Sequence, residues 1–205
     1  MLVLASVTDR LVDFATNVVG DLGIAGIFAL MIPESACIPI PSEVTLMAAG
    51  FGVHQGLLAY PVAVAAATLG NLIGSMIAYA AGRTRIGLRL PGPVAARCDR
   101  AFERYGSAAV LVARLLPLAR TFVSLPAGRA RVPVPSFILM TLAGCALWSA
   151  GFVLAGDLAG AAWRPVANEA GHASWLLAGL IVVCLLCYGR TQAHSRPPAR
   201  DEPDR

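Results

Sequence analysis

Two stretches of this chain carry no charged side chain and are each long enough to cross a bilayer. Residues 57–82 read LLAYPVAVAAATLGNLIGSMIAYAAG, and residues 132–156 read VPVPSFILMTLAGCALWSAGFVLAG. A helix spans the hydrocarbon with about 20 apolar residues. Residues 173–189, ASWLLAGLIVVCLLCYG, form a shorter third run. Backbone groups in lipid must be satisfied internally, so such runs are read as helices. The composition agrees: 57% of the residues are hydrophobic, mean hydropathy is +0.70 and only 14% are charged, against about 25% in a soluble domain. The sequence is therefore read as an all-α integral membrane protein.

Two further apolar regions are broken. Residues 22–52 are interrupted by PIPS at 39–42, and residues 107–128 carry Arg114 and Arg120 and break at Pro117. Each arm has about ten residues, which as helix rises about 15 Å, half the hydrocarbon thickness. The expectation is two re-entrant hairpins, each turning midway and leaving on its side of entry. Broken backbone survives at that depth only when buried in protein or lining a wet cavity, so three spans should hold the hairpins face to face.

Arginine placement supports this topology. Let 57–82 run inward, the second hairpin open inward, and the last two spans go out and back. The inside then holds Arg83, Arg85, Arg89, Arg97, Arg100, Arg104, Arg129, Arg131, Arg190, Arg196, Arg200 and Arg205. Only Arg10 and Arg164 lie outside, a strong positive-inside bias. The first hairpin opens outward and the second inward, the element order of an inverted-topology repeat, whose site lies near the midplane.

Outside that core, residues 1–21 read as an amphipathic helix at the membrane interface, with Leu11, Phe14, Val18 and Leu22 on one side. Asp9, Arg10 and Asp13 interrupt the start, unlike a secretory signal. Residues 92–105 form a polar cytoplasmic link between the halves. Residues 161–189 hold the last span, and 190–205 form a polar, Pro-rich, disordered cytoplasmic tail. The net charge of +4 comes without a basic face interleaved with aromatics, so nucleic acid is not a partner. Cys37, Cys98, Cys145, Cys184 and Cys187 lie mostly in apolar runs and read as small apolar side chains rather than a disulfide or metal framework. The pattern calls for no cofactor and no metal, and an oligomer is compatible with it.

Glu34, Glu43, Arg114 and Arg120 are the candidate site. An ionised side chain at the bilayer centre costs at least ~2.5–3.5 kcal/mol, so four must pair or serve a cavity. On continuous helices the two acids would point in opposite directions and the two bases would diverge. Pro39 and Pro41 lie between the acids and Pro117 between the bases, so each arm can turn its charge toward a common centre. The plainer reading is an ion-pair lock, but buried pairs are weak stabilisers. Paired guanidinium forks suit an anionic phosphate head group, with Glu34 and Glu43 gating or exchanging protons beside them. Gly70, Gly74, Ala78 and Gly82 form a small-residue packing row. Asn71 and Ser75 are placed to hydrogen-bond across helices, and Gly144, Trp148 and Gly156 read as packing residues.

ESACIPIPSE (34–43), GNLIGSMIAYAAGRTRIG (70–87), FERYG (102–106) and RLLPLARTFVSLPAGRARVPVPSF (114–137) together resemble the DedA family of bacterial inner-membrane proteins, related to VTT-domain lipid scramblases. The likeness spans residues 20–160. It implies two opposed re-entrant hairpins and a flippase for a polyprenyl-phosphate carrier such as undecaprenyl phosphate. The family's acids correspond to Glu34 and Glu43, its basic pair to Arg114 and Arg120, and its glycine–arginine element to Gly82 and Arg83. Two positions depart: Ser75 stands where many members have an acid, and Leu118 where many have glycine. The alternative is a proton- or ion-coupled transporter of a small soluble anion. An enzyme is disfavoured, because His54, His172 and His194 fall in loops or the tail, away from the hairpin centres.

Overall fold

The computed structural model describes residues 2–37, 42–84, 92–117 and 119–166. Pro39, Pro41, Leu118, the expected span 173–189 and the tail lie outside the described residues. Among the described residues all regular structure is helical. The helices are α1 (Leu2–Leu22), α2 (Ile24–Ser35), α3 (Ser42–His54), α4 (Tyr60–Gly82), α5 (Gly92–Tyr105), α6 (Ala108–Arg114), α7 (Ala119–Phe122), α8 (Ser124–Arg129) and α9 (Val134–Ala159). A 3-10 turn, Gly160–Ala162, follows.

Local chemistry sets the boundaries. Pro61 sits in the first turn of α4 and Pro135 in that of α9, where a missing N–H costs nothing. Gly106, at the end of α5, and Gly160, at the end of α9, have positive φ of 55° and 49°, values glycine adopts without a Cβ clash. The expected break in the first apolar region falls between α2 and α3, and that in the second between α6 and α7.

α4 and α9 are long and apolar enough to cross a membrane. Their outward sides are apolar too: Leu69, Ile73 and Ile77 on α4 and Leu139, Leu147 and Leu154 on α9 are exposed. A helix apolar all round, with its open face greasy, belongs in lipid. α1 buries Ala15 and Val19, while Phe14 and Leu22 of the expected apolar side stay exposed.

The packing crosses between the halves of the chain. α2 lies along α4, and α6 along α9; α3 instead packs on α9, and α8 on α4. Glycines make the crossings close. A Cβ on Gly50 of α3 would meet the Val153 carbonyl and Gly156 of α9, and one on Gly128 of α8 would meet the Tyr79 carbonyl and Gly82 of α4. Two apolar cores result. Ile27, Met31, Met47, Ala67 and Val153 belong to one; Tyr79, Val110, Ala127 and Phe137 form the other. A polar layer lies between them.

Candidate functional site

That layer is built on the middle of α4. Asn71 stands about 16 Å along the helix from Tyr60, half the depth of a bilayer core. Asn71 and Ser75 face inward and are buried, as are Glu34 and Ser35 at the end of α2, Arg114 at the end of α6, Arg120 and Thr121 of α7, and Ser124 of α8. The broken segments put these side chains at helix ends, so each chain break delivers its charge to the centre. Gly144 of α9 permits the approach of α6, since a Cβ there would press on the Arg114 side chain.

Arg120 and Glu34 form a buried ion pair, Nη2 to Oε1 at 3.0 Å. Thr121 Oγ1 also donates to Oε1, at 3.2 Å, and Ser35 Oγ lies 2.9 Å from Oε2. The Arg120 guanidinium lies over the Trp148 ring, 4.7 Å from its centroid, a cation–π contact. Arg114 is held by neutral oxygens. Its Nη2 donates to Ser75 Oγ at 2.8 Å and Ser124 Oγ at 2.7 Å, and its Nη1 to the Arg120 carbonyl at 3.1 Å. Ser75 in turn donates to the Asn71 carbonyl at 2.6 Å.

The structure thus brings Glu34, Arg114 and Arg120 together. Glu43 is buried in the first turn of α3, beyond the 38–41 segment. Pro117 lies in the turn between α6 and α7. Sequence reasoning missed Ser35, Thr121 and Ser124. Ser35 adjoins Glu34 and Thr121 adjoins Arg120, and that adjacency was the available signal; Ser124, between Val123 and Leu125, offered none. Trp148, expected to serve packing, instead backs Arg120.

Four donors in this layer have no acceptor among the described residues: Arg114 Nε, Arg120 Nη1, Asn71 Nδ2 and Trp148 Nε1. Buried donors of this kind are nearly always paired. Glu34 pairs with one of the two guanidiniums, and among the described residues the layer is rich in open donors. Among the described residues no three His, Cys, Asp or Glu gather to hold a metal.

Two apolar helices of membrane length around a buried, donor-rich polar layer are the build of a helical membrane protein. The comparisons with known proteins give the family. The VTT domain model matches residues 40–158, and the chain belongs to that family, the DedA family. A Lactococcus lactis subsp. lactis (strain IL1403) protein named alkaline phosphatase-like protein is 32% identical over 76% of this chain and 79% of its own. Undecaprenyl phosphate transporter A of Bacillus subtilis (strain 168) is 29% identical over 90% of this chain and 94% of its own. Its namesake in Staphylococcus aureus (strain NCTC 8325 / PS 47) is 29% identical over 69% and 76%. No solved structure matches the chain.

Proposed function

We propose that this protein is a transporter, not an enzyme, and that it moves a polyprenyl-phosphate carrier such as undecaprenyl phosphate between the leaflets of the inner membrane. The observation that carries this reading is the set of acceptorless donors around Arg114 and Arg120, halfway along α4. A phosphate offers the oxygens those donors lack, and a guanidinium fork binds it in two parallel bonds. Glu34 competes with phosphate for Arg120. Its protonation frees that guanidinium, and its ionisation reclaims it. Glu43 is the second gating or proton-coupling acid.

The names of the two transporter relatives support the substrate. So does the surface beside the arginines: Leu115, Leu116 and Phe122 are exposed, so a head group at the arginines lies a few residues from an apolar face where a lipid tail can stay. That favours a lipid over a small soluble anion.

In this reading α2–α3 and α6–α8 are the two re-entrant hairpins, broken at Pro39, Pro41 and Pro117, and with α4 and α9 they form an inverted repeat within a core of residues 22–160. The reciprocal crossings support it, because Gly50 on Gly156 and Gly128 on Gly82 are the paired contacts a two-fold axis in the membrane plane generates. Residues 1–21 lie at the interface, 161–189 complete a multi-pass chain, and the tail faces the cytoplasm. Arg114→Ala tests the function. It is expected to raise surface-exposed carrier lipid in cells and change sensitivity to carrier-binding antibiotics. Unchanged exposure and unchanged sensitivity would overturn the reading. Uptake of soluble phosphate, without lipid movement, by the purified protein in liposomes would select the soluble-anion alternative.

A further inference from the structure

Ser35 Oγ lies 2.9 Å from Glu34 Oε2 and 2.6 Å from Asn71 Oδ1. A hydroxyl carries one proton and donates once. An ionised carboxylate and an amide oxygen only accept, so with Glu34 charged one of these short contacts holds no proton. Two arrangements repair the count. In the first, Glu34 carries a proton on Oε2 and donates to Ser35, Ser35 donates to Asn71 Oδ1, and Asn71 Nδ2 faces away from Ser35. In the second, Glu34 is ionised, Ser35 donates to it, and the Asn71 amide turns over so that Nδ2 donates to Ser35. Oδ1 then takes the unpartnered place. The other carboxylate oxygen faces Arg120 and Thr121.

We infer that Ser35 is a one-proton relay between Glu34 and Asn71, so that protonation of Glu34 sets which end of the Asn71 amide is turned away from Ser35 and left open in the polar layer. Protonated, the polar layer holds the Asn71 N–H as an open donor in addition to those of the two guanidiniums. Ionised, it gains an oxygen that repels an anion. The proton on Glu34 comes from solvent and returns to it, and no other bond changes.

Glu34 shares its surroundings with other charged and titratable groups. α6 and α7 present Arg114 and Arg120, which stay charged. α9 presents Cys145, the turn after α2 presents Cys37, and α3 carries Glu43 in its first turn. α4 offers only neutral Asn71 and Ser75 at this level. Arg10, Asp13 and Asp21 belong to α1, which meets α2 at Gly26, against Val18, near the opposite end from Glu34.

The inference rests on the anion-binding reading above, and the experiment separates the two. The probe is farnesyl methyl phosphate, a diester whose single charge is constant near neutrality, titrated calorimetrically into the full chain in nanodiscs. Wild type is expected to bind about tenfold tighter in mildly acidic than in mildly alkaline buffer, the worth of one charge-assisted hydrogen bond. Ser35→Ala and Asn71→Leu are each expected to flatten that dependence. A flat wild type, or a Ser35→Ala protein with the wild-type pH dependence, overturns the relay. If wild type binds no diester at any pH, the anion reading fails instead. Infrared spectroscopy then decides the relay alone. A protonated-carboxyl band lost in Glu34→Gln and shifted in Ser35→Ala sustains it; no such band, or one unmoved by Ser35→Ala, overturns it.

Discussion

Arg114 and Arg120 carry the same charge but are held in different ways. Arg120 has a carboxylate, Glu34, at 3.0 Å and an aromatic ring beneath it. Breaking a buried pair leaves one charge uncompensated, at a cost of about 3–5 kcal/mol. Glu34→Ala is therefore expected to lower thermal stability in detergent by about that amount, read as a fall in Tm. Arg114 spreads two nitrogens over Ser75, Ser124 and a carbonyl. Lysine has a compact point charge and cannot reproduce a planar fork. Arg114→Lys should keep the charge yet lose about tenfold or more in carrier binding, measured with the same calorimetric titration. Ser75 holds Arg114 as a neutral acceptor.

At the scale of helices, the close crossings make opposite predictions for the same substitution. Gly82 faces the Leu125 carbonyl so closely that a Cβ cannot fit without moving α8. Overpacking of this kind costs about 1–3 kcal/mol, so Gly82→Ala should unfold at lower temperature. Gly151, in the middle of α9, has nothing within 4 Å of a Cβ. There alanine only improves helix propensity, by about 0.5–1 kcal/mol, and Gly151→Ala should match or exceed wild type in the same thermal melt. The small-residue row on α4 was readable from spacing, as Gly70, Gly74 and Gly82 show. Its partners were not, because spacing marks a close face but not what lies against it. Gly74 meets α2 and Gly82 meets α8, from opposite halves of the chain.

Across the whole molecule, ion pairs mark the two ends of the bundle. Arg164, past the end of α9, lies 3.7 Å from Asp13 of α1. Arg129, just before α9, pairs with Asp99 of α5 at 3.1 Å. The proposed topology has the first end outside and the second inside. In an otherwise cysteine-free protein, Arg100→Cys should react with a membrane-impermeant maleimide only in inverted vesicles, and Arg164→Cys only in right-side-out ones. Labelling of both from one side would remove the proposed topology.

Hydropathy and proline placement set the expectation of α4, α9 and the two breaks, and marked Glu34, Glu43, Arg114 and Arg120 as charges too costly in lipid to stand alone. Those are one-dimensional properties: the length of a run, a proline within it, a charge in the wrong solvent. Tertiary structure decided the pairing, because a hydrogen bond depends on distances that no spacing encodes. It gave Glu34 to Arg120 and gave Arg114 to Ser75 and Ser124. In the polar layer it left four donors without acceptors among the described residues, and set Ser35, with one proton to give, between two oxygens.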